Sequence, residues 1–514
     1  MDFNDKNDLA TKTMDVDFAA NLDQQRGQPS DRPKVFGKKK FDITDHGGLL
    51  FIVIIVIVFL AIGFEKYIVK GNLFRTTTET KKSKEEAQEK SSGLDLVKTL
   101  EQAQNSIKEE IEAIRQEGGL PEQIFQRNIP PEKNVGALIT KEFSAFPQKF
   151  YDELRGNIST AGPWFVDGEK LQKQAAVVLA EFKPQRDRLR ELLDSPDAKF
   201  EQDLTSEQDL TRSIGLIPDD QNIDSSWAYL TMEECEIACC LQAGNMDGAV
   251  EALKYMLRFT ELASQTQFPE MRIHVVYMRE NILRILQALA LDPKFLPKHA
   301  NMIFLALHQT LKDWPSDANC WVGDRADSLK RFDLIRQNRI SDALADDELE
   351  LLRSLNVLGY EIPLEKRQQP KRESNLLDYV ALYKPKSCDK DQDYYLKAMR
   401  VLIDSCSQPF YYRLRTLNQV ADNLQTQQGK KDYPVLSMLF LSGIREQMQK
   451  QAMDKARVEA WYLALAASLK YEIKEGSVDP VRGKPYRMTR VQTPDGNRII
   501  VFYDGNDGKA EVKE

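Results

Sequence analysis

Histidine is scarce in this chain, and the four present, His46, His274, His299 and His308, fall at no ligand spacing; only His299 and His308 share a predicted helix. Imidazole is the side chain best suited to proton transfer near neutral pH and to metal ligation, so its scarcity counts against both. Equally missing are a glycine-rich phosphate loop, a serine elbow and a His-Glu-x-x-His helix. No catalytic, cofactor-binding or metal residue is therefore assigned, and the chain is read as a non-enzyme without cofactor. Cysteine is nearly as rare. Six thiols (Cys235, Cys239, Cys240, Cys320, Cys388 and Cys406) in 514 residues make no disulfide framework, and they are read as small buried hydrophobes. Cys235 and Cys239 lie on one helical face, but no second Cys or His pair stands nearby to complete a zinc site. A basic surplus is lacking too. The net charge of −8 argues against the positive footprint of a nucleic-acid-binding protein.

Long apolar runs are absent with one exception. Gly47–Phe64, GGLLFIVIIVIVFLAIGF, holds 18 residues without a charge, bounded by Asp45 on one side and Glu65 and Lys66 on the other. As a helix it reaches about 27 Å, close to the roughly 30 Å hydrocarbon core of a bilayer, where only a helix or a closed barrel satisfies its own backbone. The run reads as a single transmembrane helix in contact with membrane lipid. Its leader exceeds forty residues and no small-x-small site precedes Glu65, so an uncleaved signal-anchor is expected rather than a signal peptide. Arg32, Lys34 and Lys38–Lys40 on one side nearly balance Lys66, Lys70, Arg75, Lys81 and Lys82 on the other. Long domains translocate largely regardless of charge, which favours a cytoplasmic N-terminal tail and an extracytoplasmic, periplasmic-side body.

Around that anchor the chain divides by composition. Residues 1–46 are polar, without period, and are expected to be a disordered cytoplasmic tail. Residues 65–119 combine a polar spacer with an amphipathic stalk helix, in which Val97, Leu100, Gln104, Ile107, Ile111 and Ile114 repeat three and four apart up to Gly118-Gly119. Such a stripe suits either a membrane-proximal coiled coil or docking on the body that follows.

Residues 120–340 read as a helical domain. It opens with a proline-rich connector holding the short helix Phe150–Leu154 and the sequon Asn157-Ile158-Ser159. Asp167 begins a long helix, kinked or broken at Pro184. An αα-hairpin follows, with Gly244-Asn245 as its turn and Asp247 as the cap of its second arm; the next hairpin joins Met271–Leu291 to Lys298–Leu311. The spacing fits no fixed repeat, so an irregular helical bundle is preferred to a helical-hairpin array.

Residues 341–475 form a second helical unit, with Glu348–Leu355, Asn375–Tyr383, Gln392–Cys406, Tyr411–Leu424, Val435–Met448 and Met453–Tyr471 as its helices. In residues 476–514 the period changes to that of strands. Arg487–Val491 and Arg498–Tyr503 flank Thr493-Pro494-Asp495-Gly496-Asn497, a β-hairpin signal. The expected fold is mainly α: one N-terminal transmembrane helix, an irregular bundle or hairpin array, and a small C-terminal β-hairpin.

Two polar constellations stand out. Arg272, Arg279 and Glu280 sit among apolar neighbours, with Gly323-Asp324-Arg325 after the same hairpin; they make either long-range ion pairs that fix how helices cross or a solvated face. Asp504-Gly505-Asn506-Asp507-Gly508 looks like a calcium-binding turn but lacks the distal bidentate glutamate, so a plain turn is preferred.

The segment Asp479-Pro480-Val481-Arg482-Gly483-Lys484-Pro485-Tyr486, followed by strand, turn, strand and the Asp504–Gly508 turn, resembles the end of type II secretion pseudopilins. There the apolar helix is continuous with this unit, whereas here hundreds of residues intervene, so pilus assembly is not implied. The order of span, hairpins around Trp227–Leu311, Gly323–Ala326 and this tail is similar to uncharacterised single-pass bacterial envelope proteins with a helical extracytoplasmic domain. That resemblance implies an envelope location and no particular activity. The expected function is a membrane-anchored scaffold or protein-interaction module, binding a protein partner or its own copies through the stalk and helical domain. A subunit of a secretion or transport complex, and an envelope enzyme with a carboxylate-based site, are the alternatives.

Overall fold

The computed structural model describes residues 102–124, 129–146, 169–201, 220–337, 339, 343–344, 385–427, 435–472, 477–503 and 508–514. All belong to one unit, Thr76–Glu514. The predicted span 47–64, the tail 1–46, Phe150–Leu154, the sequon at Asn157, the helices 348–355 and 375–383, and residues 504–507 lie outside the described residues. Among those described, no helix is long and apolar enough to cross a membrane.

The architecture is mainly helical with one small sheet. The stalk helix α1 (102–116) is followed by α2 (Val135–Phe143), α3 (Glu169–Leu193), α4 (Asp220–Gln242) and α5 (Met246–Ala263). Then come α6 (Pro269–Leu291), α7 (Pro297–Lys312), α8 (Ala318–Arg336), α9 (Pro385–Ser405) and α10 (Phe410–Gln427), the short α11 (Val435–Phe440) and the long α12 (Ile444–Ser468). Both α6 and α7 start at a proline, which fits the first turn because its missing N–H would have no helical partner there.

Several local features differ from the sequence expectation. The long helix α3 runs on through Pro184 without breaking. At the α4–α5 turn Gly244 takes φ +69°, and the cap of α5 is Asn245, whose side chain accepts from the Gly248 N–H. Asp247 already lies inside the first turn, and its carboxylate is occupied by Lys298 and His299 of α7. The expected helix 435–448 is divided at Gly443, whose φ of +75° no helix interior accommodates, and its second half joins 453–468 as the single α12.

The C-terminal hairpin gains a strand. β1 (Arg487–Thr493), β2 (Gly496–Tyr503) and β3 (Gly508–Lys513) form an antiparallel sheet in that order, with Met488 opposite Val501 and Val501 opposite Ala510. Ile499, Val501, Ala510 and Val512 share its buried face, as alternate strand residues do. The outer edge of β3 is closed by Gln287 of α6, whose side chain donates to the Glu511 carbonyl at 2.9 Å and accepts from the Glu511 N–H. A side-chain amide in this position gives the strand edge a hydrogen-bonding partner other than a foreign strand.

Two apolar cores organise the body. The first gathers α2 to α7, the later part of α12 and the sheet, around residues such as Tyr229, Phe259, Ile282 and Trp461. The second gathers α1, α8 to α11 and the start of α12, around Trp321, Phe332, Tyr395 and Met448. The α1 stripe is buried here through Ile107 and Ile114, and flanking ion pairs join Arg400 to Glu110 and Glu117 and join Arg325 to Glu117. α1 is thus docked on the body. α12 belongs to both cores: Ile444, Met448, Ala452 and Ala456 enter the second, and Val458, Trp461 and Leu465 the first.

Candidate functional site

Where α12 passes from one core to the other, its buried stripe turns polar. Gln451 and Asp454 occupy positions in line with Val458, Trp461 and Leu465, at the three-and-four spacing that points every residue inward. Both are wholly buried. Across from them α6 places Arg272 and Arg279 on its own inward stripe, and they too are buried.

Arg279 ion-pairs with Asp454 of α12, and both side chains are fully removed from solvent. Its other amino group donates to the Thr260 carbonyl of α5 at 3.0 Å, and its guanidinium lies 4.8 Å from the centre of the Trp314 ring. One side chain therefore ties α5, α6 and α12 together and rests on the α7–α8 connection. Burial pushes the Asp454 carboxyl above the usual range, opposed by Arg279, Arg272 and Arg457. In α8, Cys320 accepts from the Gln451 side-chain amide at 3.1 Å, and burial pushes its thiol up.

The crossing of α8 is set by glycine. A Cβ on Gly323 would stand 1.8 Å from the Gln267 carbonyl oxygen, so only a residue without a side chain lets α8 run this close to the α5–α6 loop. Of the constellation expected from sequence, Arg272 and Arg279 are brought together. Glu280 faces outward to Arg284 and Arg457, and Arg325 turns to Glu117, just past the end of α1. Asp324 lies 3.4 Å from the Tyr395 hydroxyl. Sequence reading missed Asp454, the partner of Arg279 at a separation of 175 residues. The available signal was a carboxylate at an inward position of an otherwise apolar stripe.

The proline-rich element after α12 acts as a buckle. Asp479 is buried and its carboxylate accepts from the Val481 N–H at 2.7 Å, closing the turn that places Gly483 at φ +67° against the Tyr411 ring of α10. Tyr486 then donates to Glu459 of α12 at 2.7 Å. Burial raises Glu459, against the pull of that hydrogen bond.

The remaining sequence candidates are placed as follows. His299 is buried; its Nδ1 accepts from the Leu296 N–H at 2.9 Å, which makes Nε2 the donor to the Asp247 carboxylate at 2.8 Å. His308 lies beside the stacked rings of Phe304 and Tyr462, its centre 6.4 and 5.8 Å from theirs. All six cysteines are free, and only Cys239 is partly exposed. Burial holds Cys406 up at about 12, far from the thiolate range in which a thiol reacts. Among the described residues no group of three or more His, Cys, Asp or Glu is arranged to hold a metal ion. The Arg279–Asp454 pair thus serves the packing of helices, its groups bonded to one another and to backbone. Compared with protein-family models, with curated proteins and with solved structures, the chain matches none of them.

Proposed function

We propose that the protein is a membrane-anchored scaffold of the bacterial envelope, holding a protein partner or a second copy of itself against its helical body. The uncharged run 47–64 supplies the tether, and the body sits on the periplasmic side with the N-terminal tail in the cytoplasm. The observation that carries the interaction role is an apolar ledge on α7. Leu305 is 56% exposed, next to Phe304, which stacks on Tyr462 of α12 at 4.7 Å and 17°. Tyr471 and His308 extend the same ring cluster. Aromatic residues fixed in place by their neighbours give contact area at small entropic cost, which is the composition of binding hot spots.

The test is a photo-crosslinking residue at Leu305 in the full-length chain, expressed in cells and solubilised from membranes. A discrete crosslinked species containing a second polypeptide, identified by mass spectrometry, supports the scaffold. Recovery of uncrosslinked chain alone, with the chain in the membrane fraction, overturns it. Recovery of the chain in the soluble fraction without detergent overturns the tether separately. Protease added to spheroplasts should digest the body and leave the tail intact.

A further inference from the structure

The belt between the two cores is not electrically closed. Arg272 is 2% exposed, and neither Nη1 nor Nη2 finds a hydrogen-bond acceptor among the described residues. Its guanidinium lies 5.3 Å from the centre of the Trp314 ring, on the same indole that supports Arg279. An aromatic face stabilises a cation but accepts no hydrogen bonds from its amino groups in the guanidinium plane. The charges at this level, among the described residues, are Arg272 and Arg279 against Asp454, which is paired with Arg279; the buried carboxylate of Glu261, which also acts on Arg279, is itself paired with Arg258 and leaves the balance unchanged. Arg457 adds no negative charge; it is held by Glu280 at the rim of the belt. Among the described residues one buried positive charge is therefore left over, in a place where an unpaired ion costs several kcal/mol.

From this surplus we infer that Arg272 holds a small monovalent anion, chloride under cellular conditions, as a structural component of the crossing of α6, α8 and α12. A single surplus charge matches a single negative charge, so a phosphate or sulfate dianion would reverse the imbalance instead of removing it. A water molecule supplies acceptor lone pairs but no charge. Among the described residues two acceptors also lack donors here, Asp454 Oδ1 and Gln451 Oε1. They do not neutralise Arg272, and a water beside the anion serves them.

The experiment is thermal unfolding of the full-length chain in detergent at constant ionic strength, with sodium chloride exchanged for sodium gluconate. A ligand that binds only the folded state adds a constant increment per tenfold rise above its Kd, which for a body of this size moves Tm up by about 1–2 °C per decade of chloride. Gluconate, too large for a sealed site, should give a flat line, and Arg272→Met should abolish the chloride slope. Equal slopes in both salts, or a chloride slope surviving in R272M, overturn the assignment in favour of bridging water or of surface screening. If R272M does not fold, crystals of the unmodified chain grown in bromide decide the matter. An anomalous peak within hydrogen-bonding distance of the Arg272 guanidinium upholds the site, and its absence there refutes it.

Discussion

The Arg279–Asp454 pair joins helices that belong to different parts of the chain, and its removal is the most informative perturbation. Asp454→Asn keeps the shape of the side chain and deletes its charge, leaving Arg279 with the Thr260 carbonyl at 3.0 Å and the Trp314 face at 4.8 Å. Breaking a wholly buried pair from one side costs about 3–5 kcal/mol, because the remaining ion is uncompensated. The retained carbonyl and indole place this variant near the lower end, about 3 kcal/mol. At a specific unfolding entropy of about 2 cal/mol/K per residue, that is a fall in Tm of about 3–5 °C for a body of several hundred residues. Arg279→Met should cost a comparable amount by leaving Asp454 as a buried, unpaired carboxyl. The double variant R279M/D454L removes both charges and should lose no more than either single variant. Urea unfolding of the four proteins, followed by tryptophan fluorescence, completes the cycle. Two small and additive losses, each under about 1 kcal/mol, would show that the pair does not fix the helix crossing.

Three further outcomes follow from individual contacts. Gly323→Ala forces a methyl into the Gln267 carbonyl, 1.8 Å from its oxygen, and should lower stability by about 1–3 kcal/mol in the same assay, whereas a loss near zero would mean that α8 does not approach the loop this closely. His299→Ala deletes the acceptor for the Leu296 N–H at the start of α7 and should cost about 0.5–2 kcal/mol; His299→Gln, whose carbonyl can accept the same bond, should recover part of it, and equal losses in the two variants would refute the capping role. Burial alone would raise the Glu117 carboxyl, but Arg400 and Arg325 outweigh it and hold the group below its usual range. Its contribution is then present above the usual glutamate value of about 4.3 and fades as pH falls through the lower folded-state value. The gap in Tm between wild type and Glu117→Gln should therefore narrow on acidification below pH 4, and a gap that widens would reverse the sign.

What was legible in the sequence is what local periodicity controls. The hairpin about Gly244-Asn245 and the second hairpin at 269–312 appear where the apolar spacing and punctuation place them. Boundaries failed where a single residue overrides the period. Gly443 in the left-handed region divides an apolar run that otherwise reads as one helix, and at Pro184, where a kinked or a broken helix was expected, α3 does not break. The strand β3, Gly508–Lys513, carries only Ala510 and Val512 inward, and its edge is completed by Gln287 from a helix more than two hundred residues earlier. No window of local sequence contains that partner. The same holds for the belt, since Arg272 and Arg279 stand out as charges on an apolar stripe while Asp454 sits in the run QAMDKARV, where lysine and arginine disguise it as an ordinary solvated turn.

That arrangement has a mechanical consequence if the proposed scaffold role holds. α1 is the described helix nearest in sequence to the predicted span, and it is fastened to the second core by Ile107 and Ile114 and by the ion pairs of Glu110 and Glu117 with Arg400 and Arg325. The apolar ledge of Leu305 and Phe304 belongs to the other core, and among the described helices α12 alone buries apolar residues in both. For such a ledge, one route to α1 runs through α12, across the stretch where Gln451 and Asp454 replace apolar packing, and another through the crossing of α8 on the α5–α6 loop at Gly323. Apolar contacts tolerate sliding because dispersion attraction is non-directional, whereas a buried ion pair with a second bond to backbone has one good geometry. Weakening the belt should therefore loosen the two cores relative to each other before either core unfolds. In hydrogen exchange on D454N, faster exchange confined to the α12 amides around 451–457 with both cores still protected is the expected pattern, and uniform loss of protection across α6, α8 and α12 would contradict it.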